Sequence, residues 1–180
     1  VAVRADWPNW RGPNATGIAP DGTLPTRWSA TENVAWKARI AGAGVSTPIV
    51  SGDLVYVTSQ IGAGIRREGN HPRLVQGADA AAQGERALGV EAAAGTDPTK
   101  TYFVVEAFGR SDGKRVWERR IEATGALTPV HDKHNLATPS PVTDGTLVYA
   151  WFGTGQIVAL DRSGAVVWKL GYRVNEDRRD

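Results

Sequence analysis

The sequence predicts an all-β fold made of repeated antiparallel sheets, and three observations lead to that prediction. The 180 residues include 21 glycines and 10 prolines, which interrupt long helices. Residues 48–57 align without gaps on residues 141–150, and each copy has two apolar, strand-like runs around a glycine turn. Similar segments end at Trp36, Trp117 and Trp168, which marks a structural period.

A second repeated unit follows each copy of the first. Residues 104–119 form a strand, a turn through Gly113 and a second strand that contains Trp117. Residues 157–170 repeat this order with a turn that is shorter by one residue. Four short strands in a period of about 40 to 50 residues are typical of a β-propeller blade. The predicted fold is therefore a β-propeller of four-stranded antiparallel blades.

The repeats place about two blades in the chain. One blade is predicted from about Thr47 to Ile121 and the next from about Thr138 to Leu170, while Ala35 to Ile40 is predicted to be one strand of the blade that closes the ring. A propeller closes with roughly four to eight blades. The chain is therefore expected to be an N-terminal portion, and the remaining blades are expected from residues beyond Asp180 or from self-association.

The tryptophan at the end of each fourth strand has a predicted structural role. A single blade cannot cover both of its faces, so each blade depends on its neighbours. Trp36, Trp117 and Trp168 are expected to pack between adjacent blades, where deleting a buried aromatic ring would cost about 3 kcal/mol or more.

Two stretches differ in composition from the predicted blades. Residues 1–34 are rich in Trp, Pro and Gly and form a separate N-terminal segment, whereas residues 35–180 form the partial propeller. The tryptophans of the N-terminal segment are expected to pack over the ring, or else to form an exposed patch that docks on another protein. Residues of about 60–100 lose strand alternation and are rich in Ala and Gly, which predicts a low-complexity loop insertion or a partner-binding arm.

The composition excludes several kinds of function. There is no cysteine, so disulfides, thiolate metal sites and cysteine nucleophiles are absent. The formal net charge of +2 is too small to indicate a nucleic-acid partner. No apolar run approaches the roughly eighteen residues that a membrane span requires, so no transmembrane segment is predicted.

The one concentration of histidine lies before the second predicted blade, and loops at blade edges are where propellers carry function. On a strand, His131 and His134 would face opposite sides, and a zinc or iron site would need a third ligand, so no metal site is predicted. No set of catalytic residues is predicted either. The segment is expected to hydrogen-bond nearby backbone, or to contact a ligand or partner through His131, Asp132, Lys133, His134 and Asn135.

Three parts of the sequence carry a family resemblance. The first is WPNWRGPNATG at residues 7–17, with the tryptophan motifs at residues 25–28 and 33–37. The second is GVSTPIVSGDLVYVTS at residues 44–59. The third is HNLATPSP at residues 134–141, with parts of the second repeat at residues 152–155, 159–161 and 168–169. With these segments the chain resembles the PQQ-binding-like β-propeller repeat proteins, which share the quinoprotein dehydrogenase fold. The resemblance is to an exported bacterial branch of that family.

The resemblance implies a periplasmic or extracellular protein, membrane-associated only through its partners. We expect a non-enzymatic propeller that acts as a protein-binding or scaffold module, including as a subunit of a larger envelope complex. Propeller lipoproteins of the outer-membrane assembly machinery are similar and bind only protein, but this sequence lacks the N-terminal cysteine that carries their lipid.

The alternative is a dehydrogenase that depends on pyrroloquinoline quinone (PQQ), with its cofactor ligands mostly beyond residue 180. In such quinone-dependent oxidoreductases the quinone lies beneath a vicinal cysteine disulfide and beside a calcium ion held by acidic and amide side chains. This sequence has no cysteine and shows no recognisable calcium cluster. No cofactor is therefore predicted, and PQQ with calcium belongs to the alternative alone.

Overall fold

The structure is a computed structural model that describes residues 6–19, 24–62, 100–125, 127, 130 and 134–171. The described residues contain eight strands and no helix, which confirms the all-β prediction. The strands are β1 (Ile49–Ser51), β2 (Leu54–Ile61), β3 (Tyr102–Gly109), β4 (Arg115–Glu122), β5 (Val142–Thr143), β6 (Leu147–Trp151), β7 (Gln156–Asp161) and β8 (Val166–Gly171).

The strands form two four-stranded antiparallel sheets, which match the two predicted blades. Blade 1 has the order β1-β2-β3-β4, and blade 2 has the order β5-β6-β7-β8. The register of the last pair shifts at Ala107/Phe108 in blade 1 and at Ala159/Leu160 in blade 2. Because the bulge falls at the same point in both copies, the sequence repeat is also a repeat of backbone geometry.

The interface between the blades contains the larger apolar core. Phe103 of β3 stacks on Phe152, which follows β6, with ring centroids 4.2 Å apart and planes inclined by 4°. Such an aromatic pair contributes about 0.5 to 1.5 kcal/mol beyond the burial of its surface. The buried members of this cluster come from both blades and from the segment that joins them: Phe103, Val105, Leu136, Ala137, Ala150, Phe152, Val158 and Leu160.

The segment before β5 is hydrogen-bonded to blade 1. The backbone N–H of Leu136 donates to Oε1 of the buried Gln60 at 2.9 Å, and its carbonyl accepts from the N–H of Gly153 at 2.7 Å. The N–H of Thr47 donates to Oγ of Ser140 at 2.9 Å. These bonds satisfy backbone groups that would otherwise be buried without partners, and they fix blade 2 against blade 1.

Part of the N-terminal segment crosses the first strands of both sheets. Trp7 forms an antiparallel bridge with Val50, with two backbone hydrogen bonds of 2.9 Å. The carbonyl of Pro8 accepts from the N–H of Thr143, also at 2.9 Å. Residues 6–8 therefore connect β1 and β5, which supports the expectation that this segment packs on the propeller.

The strand predicted for Ala35 to Ile40 is not present, and this prediction is wrong for the described structure. A strand needs a neighbour for its ladder of hydrogen bonds, and the described residues provide none beside this segment. The chain here is held by side-chain contacts instead, because the Ala41 N–H donates to Oε2 of Glu106 at 2.9 Å. The loop insertion predicted at about 60–100 lies mostly outside the described residues.

Glu106 is a buried carboxylate in the centre of β3. Its residue exposure is 0%, and Nη1 of Arg115 lies 3.1 Å from its Oε1. Glu118 is its cross-strand neighbour on β4, and Glu118 in turn pairs with Arg115 and Arg120. Burial raises the pKa of Glu106 above its ordinary value, although the bonds from Ala41 and Arg115 act in the opposite direction.

We expect Glu106→Gln to remove a pH dependence of stability. The folded protein binds a proton on Glu106 more tightly than the unfolded chain does, so the contribution of Glu106 to stability is greatest below its ordinary pKa of 4.5 and is lost as the pH rises through the raised folded value. Glutamine keeps the acceptor for Ala41 and does not titrate. Urea unfolding of both proteins between pH 4 and 8 tests this, with the exposed Glu122→Gln as control. Parallel stability curves for wild type and Glu106→Gln would contradict it.

Two aspartates in the turns of blade 2 contribute in a separate pH range. The backbone N–H of Leu147 lowers the pKa of Asp144, and the hydroxyl of Ser163 lowers the pKa of Asp161. The stability from such groups is present above their ordinary pKa of 3.8 and is lost as the pH falls through the folded values. A decline of stability on acidification is therefore the sign expected of these aspartates and is opposite to the sign expected of Glu106.

Candidate interaction surfaces

The blade-end tryptophan of blade 1 binds the turn between the last two strands of blade 2. Nε1 of Trp117 donates to the carbonyl of Arg162 at 2.9 Å, and a Cβ on Gly164 would lie 2.6 Å from the indole ring. The ring also lies 5.9 Å from that of Tyr56, at an angle of 48°. Nε of Arg119 donates to the carbonyl of Gly164 at 2.8 Å. The turn at residues 162–164 of blade 2 thus accepts hydrogen bonds from both the Trp117 indole and the Arg119 guanidinium.

Trp36 makes the same contact with blade 1. Its Nε1 donates to the carbonyl of Arg110 at 2.9 Å, and a Cβ on Gly113 would lie 2.5 Å from its ring. Gly113 and Gly164 have φ of 69° and 81°, in the region that favours glycine. Trp36 therefore occupies the position of a blade-end tryptophan although its segment is not a strand.

Trp168 is the third blade-end tryptophan, and its packing between two blades stays a prediction, because the described residues contain no blade after blade 2. It is 42% exposed, because none of the described residues covers its side of β8. It does keep the aromatic contact within its own blade, since its ring lies 6.0 Å from that of Tyr149 at an angle of 43°. This pair repeats the geometry of Trp117 with Tyr56.

Trp168 belongs to a larger exposed surface, which we call the free face of blade 2. Strand pairing and side-chain alternation place its members on one side of the sheet: Val142, Leu147, Tyr149, Trp151, Trp168 and Leu170. Exposure is 46% for Val142, 60% for Trp151 and 57% for Leu170. The equivalent face of blade 1 is covered by blade 2, and its residues Ile49 and Tyr56 are 0% and 1% exposed.

The N-terminal segment also exposes large side chains. Trp7 is half-buried against Gly12, whereas Trp10 and Trp28 are 64% and 63% exposed. The guanidinium of Arg11 lies 5.6 Å from the centroid of the Trp10 ring. Trp7 is therefore packed on the propeller, whereas Trp10 and Trp28 are exposed and available for contact with another molecule.

The predicted contact cluster of residues 131–135 is described only in part. His131, Asp132 and Lys133 lie outside the described residues, and His134 is exposed. Nδ2 of Asn135 donates to the carbonyl of Ala43 at 2.7 Å, and its Oδ1 accepts from the N–H of Ala137 at 3.0 Å. The side chain of Asn135 thus joins the segment before β5 to blade 1, as the backbone-bonding interpretation expected for this position.

The described residues lack two features that bear on function. They contain no group of three or more His, Cys, Asp or Glu side chains placed to hold a metal ion. They also contain no helix with the length and hydropathy needed to cross a membrane.

Comparison with known proteins identifies the repeat. A family model described as outer membrane protein assembly factor BamB matches residues 102–176. The chain carries PQQ-like β-propeller repeats. It is also similar to the outer membrane protein assembly factor BamB of Yersinia pestis, with 29% identity over 145 residues. The match covers 76% of this chain and 36% of that relative, so the chain spans about a third of the relative's length.

The matched region covers the second half of blade 1 and all of blade 2. It starts at Tyr102, the first residue of β3, and includes β3, β4 and all of blade 2. The two strands that carry a blade-end tryptophan, β4 and β8, and the turn at Arg162 to Gly164 therefore lie within it. The arginine and serine that occur in both turns, at residues 110–111 and 162–163, are the sequence signal that could have predicted the indole contact.

Gly164→Ala is expected to destabilise the protein much more than Gly145→Ala. Both glycines have positive φ, of 81° and 91°, so alanine costs about 1 to 2 kcal/mol of backbone energy at either position. Only at Gly164 does the new Cβ collide with Trp117, which adds about 1 to 3 kcal/mol, whereas nothing lies within 4 Å at Gly145. Denaturant unfolding measures the difference, and equal losses for the two variants would show that the indole does not rest on this turn.

Trp117→Ala and Trp168→Ala should differ in the same experiment. Removal of Trp117 deletes a ring packed on two blades and leaves the Arg162 carbonyl without its donor, at a cost of about 3 kcal/mol. Removal of Trp168 deletes a ring that is 42% exposed, and we expect a loss below about 1 kcal/mol in this chain. A loss of about 3 kcal/mol for Trp168→Ala would contradict the exposed position.

Proposed function

We propose that this chain is part of a non-enzymatic β-propeller that binds protein in the bacterial envelope, with Trp10 and Trp28 in the contact surface. The observation that carries the proposal is the exposure of these two rings, at 64% and 63%, on a segment that is itself anchored to both blades. Exposed aromatic side chains are typical of the central residues of protein interfaces. The anchor at Trp7 and Pro8 holds the segment on a rigid sheet and lowers the entropy lost on binding.

The similarity to an outer membrane assembly factor supports a partner in the envelope. That factor is named for the assembly of outer membrane proteins, and this chain shares the PQQ-like repeat with it. We extend to this chain a periplasmic location and a role as a scaffold or subunit of a larger complex. Both extensions are proposals, because the chain matches 36% of the relative's length.

The dehydrogenase alternative receives less support from the residues present. A quinone site of the kind implied by the resemblance needs a cysteine disulfide and acidic or amide ligands for calcium. The sequence has no cysteine, and the described residues hold no group of three or more potential metal ligands. The residues of this chain do not supply that donor set, which the alternative places mostly beyond residue 180, and we assign no step of a reaction to the chain.

Photo-crosslinking in intact cells tests the protein-binding proposal. A benzophenone amino acid at position 10 or 28 is expected to give the same cross-linked envelope protein, identified by mass spectrometry. Position 114 is the control, because the Lys114 side chain is 85% exposed and lies in a turn remote from the aromatic rings in sequence. Trp28→Ala combined with the probe at position 10, or Trp10→Ala combined with the probe at position 28, should lower the yield at least tenfold without changing the melting temperature, since both rings are largely exposed.

Two results would overturn the proposed function. One is an equal yield of the same product from position 114, or no product from positions 10 and 28. The other is dye-linked oxidation of alcohols or sugars by the native protein after addition of PQQ and calcium, which would favour the quinone-dependent enzyme.

A further inference from the structure

A groove between the fourth strands of the two blades is a candidate binding site whose lining does not include Trp10 or Trp28. Its volume is about 960 Å³, and it is lined by the end of β4, the start of β7 and the whole of β8. Clefts of about 300 to 1,000 Å³ are typical of ligand sites. We propose that this groove binds a short, extended peptide segment of another protein, with an acidic side chain of the peptide against Lys169 and apolar side chains on either side of it.

Contacts between the blades hold the walls of the groove in place. Nε1 of Trp117 donates to the carbonyl of Arg162, just before β8 begins. Nε2 of Gln156 donates to the carbonyl of Glu122 at 3.0 Å, and its Oε1 accepts from the N–H of Thr124 at 2.7 Å. β4 is thus joined to blade 2 at both of its ends. Because the walls are fixed before a ligand arrives, binding costs little in the ordering of the protein.

Blade 1 has an ion-pair network at the positions that form the blade 2 wall of the groove. Glu106 and Glu118 lie directly opposite each other, and Nη1 of Arg115 contacts both. The corresponding opposite pair in blade 2 is Val158 and Lys169, and a valine takes the place of the arginine. Blade 2 therefore presents an apolar wall with one cation where blade 1 has a set of paired charges.

Lys169 is the cation that this wall offers to a ligand. It is exposed, and it makes no hydrogen bond or ion pair with any other residue that the structure describes. Two further charged residues line the groove, and both are paired, Arg120 with Glu118 and Glu122 with Lys100. The charge left without a partner in this part of the structure is positive, and it is complementary to a carboxylate.

The main chain at the edge of β8 favours a peptide over a lipid as the occupant. Consecutive residues of a strand point to opposite faces, so a groove lined by every residue from Val166 to Gly171 follows the edge of the strand. β8 is the last strand of its sheet, and no described strand lies beside its outer edge. A peptide backbone can hydrogen-bond with N–H and C=O groups at such an edge, whereas a hydrocarbon chain would bury them without partners.

Gly171 leaves space at the end of β8. It corresponds to Arg120 of blade 1 and lies on the same side of the strand as Lys169. A Cβ at this position would meet nothing within 4 Å, and its φ lies outside the region that favours glycine. A large side chain at position 171 would therefore occupy the groove without straining the backbone.

Fluorescence anisotropy on the full-length native protein with two labelled peptides tests the inference. The acidic probe is GSLIDLSG, and the basic probe, GSLIKLSG, differs from it at one position. We expect the acidic probe to bind about tenfold more tightly, because its carboxylate lies beside Lys169. Lys169→Glu should reverse this preference. Lys114→Glu is the matched control, since Lys114 is an exposed cation outside the groove, and it should leave the preference unchanged.

A second variant fills the groove and keeps its charge. Gly171→Trp should abolish the binding of both probes at an unchanged melting temperature, because the new ring meets no existing side chain. In intact cells, a benzophenone amino acid at position 171 should cross-link to another protein at a segment that contains an acidic residue between apolar ones.

Several results would overturn the inference. They are equal affinity for the two probes, binding of neither, and affinities that are unchanged in Lys169→Glu or Gly171→Trp. Binding of dodecanoate in place of the peptides would assign the groove to a fatty acid. A cross-link from position 171 to residues 63–99 of the same chain would show that the chain itself occupies the groove.

The outcome is independent of the proposed function. Trp10→Ala with Trp28→Ala should leave the anisotropy titration unchanged, because neither ring lines the groove. A failure of cross-linking at positions 10 and 28 would therefore not affect the groove, and a failure of peptide binding would not affect the aromatic surface.

Discussion

The architecture depends on one interaction, the contact of a blade-end indole with the turn of the next blade. A four-stranded sheet has two apolar faces, and a blade remains stable only if neighbours cover both. The hydrogen bond from Trp117 to the Arg162 carbonyl fixes the fourth strand of blade 1 against the last turn of blade 2. The Phe103–Phe152 stack fixes the same two blades nearer their middle. With two separated contacts, neither blade can rotate against the other without losing one of them.

The segment before β1 that contains Trp36 and Ala41 covers blade 1 in the way that blade 1 covers blade 2. Trp36 covers the turn at Gly113, and the Ala41 N–H satisfies the carboxylate of Glu106 on the side of β3 away from blade 2. A buried carboxylate is costly unless its hydrogen bonds are made, so Glu106 couples this irregular segment to the stability of the sheet. Blade 1 is consequently covered on both faces, while blade 2 keeps a free one.

The features that the sequence could predict are those that repeat within it. Alternating residues around Gly52 and Gly145 predict the hairpins, and the blade-end tryptophans predict which strands are equivalent. The state of Ala35 to Ile40 and the exposure of Trp168 could not be predicted in the same way. Both depend on whether a neighbouring sheet is present. Alternation in the sequence indicates that a segment can form a strand, but it does not indicate which strand or sheet lies beside it. The bonding of Asn135 also depends on Ala43, a residue distant in sequence.

The fourth strands show how one repeat is adapted to two environments. β4 reads RVWERRIE and β8 reads VVWKLG, so the tryptophan is kept while charged residues around it are replaced by Val, Leu and Gly. Edge strands that face water are usually protected by charge, which opposes pairing with other chains. β4 has that protection, and its Arg115 and Arg120 form ion pairs with Glu118. β8 has a single lysine, and all six of its residues are exposed, so its edge lacks the ion-paired protection that β4 has.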